Sequence, residues 1–414
     1  MGTTTPGAVG IIGAGTAGMA AALFLARAGW RVTLFERFER PQPRGAGLML
    51  QPSGMYVLER LGLLDAFLEV GAPIRRFLGT NERGRDILDL SYADLGPGYF
   101  GLGIHRGQLF RLLYEAVSAA PVAIRLGHEI AGVERYPDRA FVRTRQGETH
   151  GPYDLVLSAD GSRSYVRTAL GHGVEVKPYA WAALWAVLAD PDGLFGDTMV
   201  QRYRGAEKMV GILPVGQAPD GGRAVTLFWS LFGEHYGRWY AAGLDAWKAE
   251  VLELMPELEP LLPQLHGPDD LAFSRYGDVR LRRWVDGRLL YVGDAAHGTS
   301  PQLRQGANLA LWDAMTLAEC LQRNPVPQAL AEYERVRRPA VRYYQWASRW
   351  LVAGFQSHNK VLPVLRDSLL YPLTHTPGLQ RYILETLAGL RGGFVRRLLP
   401  NGYAPGLRAS TSRS

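Results

Sequence analysis

Gly13-Ala14-Gly15-Thr16-Ala17-Gly18 joins a short apolar strand, Val9–Ile12, to a helix expected from about Thr16 to Ala28. The three glycines have separate jobs. Gly13 allows the tight turn, Gly15 (beside Ala14) lets a pyrophosphate approach the backbone, and Gly18 lets helix and strand pack closely. The next strand, Arg31–Phe35, ends in Glu36, 18 residues after Gly18. A carboxylate there accepts hydrogen bonds from ribose hydroxyls and repels a 2′-phosphate. The stretch therefore predicts an α/β, Rossmann-like domain holding the ADP moiety of FAD or NAD rather than of NADP.

A second motif lies some 280 residues downstream: Gly293-Asp294-Ala295-Ala296-His297, then Pro301 and Gln305-Gly306-Ala307-Asn308. An apolar strand, Arg288–Val292, precedes it, and Leu309–Leu321 follows with apolar residues at helical spacing. A strand, a Gly-Asp turn and a helix start present backbone N–H groups and a dipole to an anion. Two such sites suit one bulky cofactor gripped from two sides. Three further stretches favour FAD. Arg37 and then Arg44-Gly45-Ala46-Gly47 follow the ribose acid. Gly103–Leu109 places Arg106 before an amphipathic helix. Asp154–Ser164 is a buried strand running into Asp160-Gly161, with Val166-Arg167 just beyond.

With these motifs in this order, the chain resembles the single-component flavoprotein aromatic hydroxylases, those of the para-hydroxybenzoate hydroxylase fold, over roughly residues 8 to 345. The resemblance implies that Gly13, Ala14, Gly15, Gly18, Glu36, Arg37, Arg44, Gly47 and Arg106 hold the ADP half and the ribityl-pyrophosphate. Asp160 and Gly161 fall in the motif that touches both FAD and the visiting nicotinamide cofactor. Gly293 and Asp294 grip the ribityl or pyrophosphate part, and Pro301, Gly306, Ala307 and Asn308 lie beside the isoalloxazine. It implies tightly bound FAD, with NAD(P)H and O₂ as co-substrates. A flavin C4a-hydroperoxide then delivers one oxygen atom in a hydroxylation or epoxidation. Residues 1–173 and 276–345 would form a discontinuous FAD-binding domain, 174–275 an inserted substrate-binding sheet, and 346–414 a C-terminal helical extension. Alternatives on the same scaffold are a dehydrogenase, a prenyl-chain reductase, a halogenase or a non-redox flavin-binding cyclase. A halogenase would carry a Trp-x-Trp-x-Ile-Pro segment, which Trp181-Ala182-Ala183-Leu184-Trp185 does not match.

Between Gly171 and Asp278 the βα alternation gives way to aromatic and β-branched runs. Tyr179–Leu188, Thr198–Arg204, Lys208–Leu213 and Ala224–Phe232 read as strands of an antiparallel sheet, and Leu244–Met255 as a helix. Trp185, Tyr203, Phe228 and Phe232 are candidates for lining a pocket that takes a flat, apolar, aromatic or polyketide-like substrate. Aromatic walls would also keep the site dry. No general base stands out among His235, Tyr203 and Tyr236.

One position departs from the family pattern. The loop usually reads Pro, two residues, then Gly-Gln-Gly, whereas here Pro301-Gln302-Leu303 is followed by Arg304. A glycine tolerates positive φ and lets the backbone come close; an arginine brings a permanent charge. Three readings fit. Arg304 has ordinary φ and points to solvent or a carboxylate; or it projects to the substrate side and binds an acidic or carbonyl group; or it blocks the usual flavin movement. Pro301 and Arg304 are thus the candidate catalytic residues.

Composition sets the outer bounds. Of 414 residues, 47% are hydrophobic and 21% charged, as in a soluble globular protein of two or three packed units. No apolar run approaches the roughly 20 residues that span a bilayer. Met1–Pro6 has neither a basic n-region nor an apolar h-region. A lone Cys320 fits a reducing cytoplasm and reads as a small core residue. The net charge of +7 comes with scattered basic residues and no nucleic-acid motif. The last 24 residues hold five arginines and no acid, so at most a weak peripheral membrane contact is expected. The expected partner is a small molecule, no metal is called for, and the chain should act as a monomer or homodimer. The C-terminal helices either cover the substrate channel, make a dimer contact or simply pack on the chain.

Overall fold

The computed structural model describes residues 6–41, 46–171, 174–218, 221–356, 361–400 and 403–410. Its nucleotide layer is a sheet in the order Val285–Asp286, Leu289–Tyr291, Leu155–Ser158, Ala8–Ile12, Arg31–Phe35, Val122–Arg125. All pairings but that of the first edge strand are parallel. Parallel strands need long crossovers, so residues far apart in the chain become neighbours. Here that places the ends of Ala8–Ile12, Leu155–Ser158 and Leu289–Tyr291 side by side. Gly13, Asp160 and Gly293 therefore leave adjacent strands at one edge, where open α/β sheets bind their ligands. Continuity hydrogen bonds lock that edge: Ala159 N donates to Ile12 O at 2.8 Å and Val292 N to Ser158 O at 3.0 Å.

The strands Ala8–Ile12, Leu155–Ser158 and Leu289–Tyr291 are buried on both faces, which explains their near-continuous apolar sequence. One face is covered by the helices Thr16–Arg27 and Gly306–Arg323, which pack on each other. Gly18 permits this entry: a Cβ there would lie 2.0 Å from Gly13 O.

A second, seven-stranded sheet runs in the order Ala272–Leu281, Val174–Ala189, Arg223–Phe232, Lys208–Gln217, Thr198–Arg204, Arg76–Asn81, Asp86–Ser91. All pairings among the inserted strands are antiparallel, as the alternation and turn signals lead one to expect. Two findings go beyond the sequence reading. Arg76–Ser91, from the first part of the chain, extends the sheet, and Arg76–Asn81 pairs in parallel with Thr198–Arg204. Period-2 alternation sorts the faces of Arg223–Phe232. Trp229 turns outward onto Trp247 of the helix Leu244–Leu254 (ring centroids 6.1 Å apart), leaving Phe228 on the opposite face.

The C-terminal region comprises Val326–Phe355, a 30-residue helix with Pro339 inside it, then Val361–Thr374 and Leu379–Leu387. Among the described residues it packs intramolecularly. Tyr343 and Thr386 share a hydroxyl hydrogen bond of 2.6 Å, Ser300 and Ser348 one of 2.7 Å, and Gln305 Nε2 donates to Leu387 O at 2.8 Å. No described helix is long and apolar enough to cross a membrane.

Candidate active site

A cavity of about 670 Å³ runs between the two sheets. Its walls include Gly13, Ala14, Gly15, Glu36, Arg37, Gly47, Arg106, Asp160, Gly161 and Asp294, then Pro301, Arg304, Gly306 and Ala307, and finally Trp185 and Phe228. Most of the residues named from the sequence thus meet around one space. Arg44 lies outside the described residues.

At the nucleotide end the first turn is built to leave room. Gly13 has φ 101°, and a Cβ on Gly15 would meet nothing within 4 Å, so the space above the turn is open. Glu36 Oε2 accepts from Ala14 N at 2.9 Å and Oε1 from Phe38 N at 3.1 Å, which aims the carboxylate along the turn. An open glycine cradle with a fixed carboxylate beside it fits the ADP portion of FAD.

The motif at Asp160 is tied to the motif at Gly293 by Arg167, which is 3% exposed. Its guanidinium donates to Ala295 O at 2.6 Å and Ser162 O at 2.7 Å. Asp160 accepts from Ser158 Oγ at 2.6 Å and from Val166 N at 3.3 Å. The second turn differs from its sequence reading in one respect. Asp294–His297 is a single helical turn, and the long helix starts only at Gly306, after a 3₁₀ turn over Pro301–Leu303. Folding back brings Asp294 near that start: a Cβ on Gly306 would lie 3.9 Å from its Oδ1.

Beneath this turn is a buried network that the sequence did not reveal. Asp313, fully buried, accepts from Gly293 N at 2.9 Å and Arg337 Nε at 2.8 Å, and pairs with His297 Nε2 at 2.6 Å. Burial alone would raise its pKa. Attraction to His297 and Arg337, with the hydrogen bonds from His297 and Gly293, overrides that and holds it at about 2.

Five candidates lie off the cavity wall. Asn308 spends its side chain internally, accepting from Gln51 N at 2.9 Å and donating to Arg304 O at 2.9 Å and Met49 O at 3.3 Å. Tyr203 packs on Phe355 (centroids 5.0 Å apart) and donates to Gln201 Oε1 at 2.8 Å, so Gln201 reaches the cavity instead. Phe232 sits further along its strand against Trp181 and His235. Gly18 and Gly293 act in packing and turning rather than as lining. Sequence reasoning missed Met199, Met209 and Tyr276 as wall residues; Tyr276 accepts from Trp185 Nε1 at 3.1 Å. Alternation along Thr198–Arg204 and Lys208–Gln217 was the signal that could have found the methionines.

Arg304 has φ 54° and ψ 34°, the one positive φ among described residues other than glycine. The reading with ordinary φ is therefore corrected. For an L-residue this conformation costs about 1–2 kcal/mol. The hydrogen bond from Asn308 to the Arg304 carbonyl holds it in place. The side chain lines the cavity, its guanidinium carbon 5.8 Å from the Phe77 ring centroid, and donates to Gln302 O at 3.3 Å.

A family model described as "FAD binding domain" matches residues 7–345. That decides the family. The chain belongs to the FAD-dependent, aromatic-hydroxylase-type monooxygenases. It is 30% identical over 343 residues to the aurachin C monooxygenase/isomerase of Stigmatella aurantiaca, covering 79% of this chain and 84% of that protein. It is also 30% identical over 378 residues to 3-amino-4-hydroxybenzoate 2-monooxygenase of Streptomyces cremeus, covering 84% and 87%. Among solved structures, Klebsiella pneumoniae HpxO complexed with FAD and uric acid superposes with a TM-score of 0.78 at 23% identity, over 93% of this chain and 97% of that one. The tetrameric form of 2-methyl-3-hydroxypyridine-5-carboxylic acid oxygenase gives 0.75 at 23% identity, over 93% and 96%, and shares the fold. This monooxygenase is accordingly an oxidoreductase that uses FAD, with NAD(P)H and O₂ as co-substrates.

Proposed function

We propose that this monooxygenase inserts one oxygen atom into a flat, largely apolar aromatic molecule, hydroxylating a ring carbon. The observation that supports it is the continuity of one cavity from the Gly13–Gly18 turn to a wall of Trp185, Phe228, Met199 and Met209. FAD, once reduced by NAD(P)H, supplies the activation of O₂. The chain's own part is to bind, orient and dry.

Gly13, Ala14, Gly15, Glu36, Arg37, Gly47 and Arg106 would hold the ADP and pyrophosphate portions, with Asp160, Gly161 and Asp294 from the adjacent strand ends. Pro301, Gly306 and Ala307 would bound the ring system. Trp185 meets Phe228 edge-on (centroids 4.7 Å apart, planes at 73°) and is fixed by Tyr276, so the two form a stiff, water-excluding wall. In this reading, 1–173 with 276–345 serve the cofactor and 174–275 the substrate, with 76–91 lending two strands. The helices Val361–Thr374 and Leu379–Leu387 would close the outside. The protein would act on a small molecule in the cytoplasm, as a monomer or homodimer, without nucleic acid or firm membrane attachment.

The test is purification followed by turnover. The expected protein is yellow, oxidises NAD(P)H faster when given phenolic or N-heteroaromatic acids, and places label from isotopic O₂ in the product. A colourless protein, or NAD(P)H oxidation that yields only peroxide with every aromatic tried, would overturn the proposal.

A further inference from the structure

We infer that Arg304 is a substrate-recognition residue, and that the molecule this cavity takes carries a carboxylate or a comparably acidic oxygen on its ring. The inference rests on the monooxygenase reading above and names the substrate class of that same site.

Of the four most buried arginines, three pair with internal carboxylates: Arg337 with Asp313 at 2.8 Å, Arg366 with Asp367 at 2.6 Å and Arg391 with Glu385 at 2.8 Å. The fourth, Arg167, gives its guanidinium to the carbonyls of Ala295 and Ser162. Arg304 makes no ion pair with a carboxylate among the described residues. Its protein contacts are the carbonyl of Gln302 and the face of Phe77. A guanidinium has five N–H donors in a planar fork, and one donor on one carbonyl leaves most of that fork unused.

The two tyrosines that feel its charge do not supply the missing counter-charge. Tyr203 donates its proton to Gln201 Oε1 and Tyr92 donates to Gln51 Oε1, so both hydroxyls stay neutral. Burial pushes Tyr203 up to about 12 and Tyr92 higher, although the charge of Arg304 pulls both the other way. The same burial lowers Arg304 to about 10, which leaves it fully charged at neutral pH. The folded chain thus keeps a partly desolvated cation at the cavity wall, a costly arrangement unless an anion joins it.

The backbone points the same way. Glycine would occupy the left-handed conformation without strain. The chain instead carries an arginine there, braced by Asn308 on the Arg304 carbonyl and by Gln305 on Leu387 O. Strain retained at a cavity wall is the pattern of a functional constraint rather than of packing. The same cavity wall carries Met199, Gln201, Met209 and Phe228 beside Arg304. A flat ring with an acidic group at one edge complements it, and the fork can take a carboxylate bidentately.

The test uses the FAD-loaded full chain and matched probes: 3-amino-4-hydroxybenzoate, salicylate and 4-hydroxybenzoate, each against its carboxamide. Binding is read as perturbation of the flavin absorbance, and KM and kcat from NAD(P)H oxidation. The expected result is a preference for at least one acid over its amide of about 100-fold. Arg304→Gly should reduce that preference to within threefold while the amide affinity holds. Arg304→Lys should keep part of it, since it retains the charge but not the fork. FAD content and thermal stability of Arg304→Gly should match or exceed those of the parent, because the strained φ is relieved.

Three results would overturn the inference. The parent protein shows no acid-over-amide preference in any pair, including the case where no acid binds. Arg304→Gly keeps the preference. Or Arg304→Gly loses FAD or shifts the flavin reduction potential with the preference intact, which would make the cofactor the anion served. Failure of the underlying monooxygenase reading looks different: no FAD is bound, or NAD(P)H is not oxidised by any variant.

Discussion

Replacing Asp313 with Asn should loosen the fold and the cofactor site together. The carboxylate is fully buried and faces three donors: Gly293 N, His297 Nε2 and Arg337 Nε. An Asn has one acceptor oxygen, so its NH₂ must point at a group that also donates. Arg337, 1% exposed, would be left with the Leu309 carbonyl at 3.1 Å and would become an uncompensated buried charge. Breaking one side of such a pair costs about 3–5 kcal/mol. At roughly 2–4 °C per kcal/mol for sizeable domains, the midpoint should fall by about 10 °C. Because the Gly293 amide is one of the three donors, the Asp294 turn loses its anchor, and FAD affinity should drop as well. Thermal unfolding with and without added FAD, and a fluorescence titration of FAD, measure both effects. The variant Asp313→Leu with Arg337→Met should be less damaging than Asp313→Asn alone, since it removes the stranded cation. An Asp313→Asn protein that melts within about 1 °C of the parent and keeps its FAD would refute the reasoning.

The same carboxylate gives a pH prediction. Its folded pKa is about 2 against the ordinary 3.8, so its stabilisation is complete above about pH 4 and fades between pH 4 and 2. The amount lost is on the order of 2 kcal/mol, and acid titration of stability should be flatter in Asp313→Asn across that window. Gly15→Ala should leave the stability of the FAD-free protein unchanged, since nothing lies within 4 Å of the new methyl, yet weaken FAD binding at least tenfold. Gly18→Ala should instead destabilise the FAD-free protein by about 2–3 kcal/mol, because its methyl would sit 2.0 Å from a backbone oxygen. Cys320 is fully buried, and burial first, then Glu332, raises its thiol to about 11. It should resist a thiol reagent at pH 8 in the folded protein and react on unfolding; rapid labelling under native conditions would contradict its placement in the core.

The parts of this molecule that were legible in its sequence are those in which one short segment states its own geometry. Gly13, Gly15 and Gly18 are read from spacing because each glycine answers a local steric demand, and Glu36 follows because a strand end fixes where its carboxylate goes. The sheet strands of the insertion were legible for the same reason. What stayed hidden is made by pairing between distant segments. The strands at Arg76–Asn81 and Asp86–Ser91 carry mixed polar and apolar residues, and only the neighbour they find, Thr198–Arg204, reveals which sheet they join. Asp313 sits inside an apolar helix, and nothing local says that Gly293, His297 and Arg337 will converge on it.

Arg304 and Asn308 join the two cases. The sequence marked Arg304 as irregular, but whether its backbone turned left-handed depended on Asn308, four residues on, donating to its carbonyl. Asn308 can do so because its oxygen is held by Gln51 N, and because Gly54 leaves room: a Cβ there would lie 2.1 Å from that oxygen. A contact between residues some 250 positions apart thus fixes the φ of one arginine, and that φ turns its charge into the cavity. Gly54 belongs to the recognition machinery by this chain of contacts although it is not part of the cavity wall. Filling Gly54 should therefore disturb acid recognition before it disturbs the ADP end of the site.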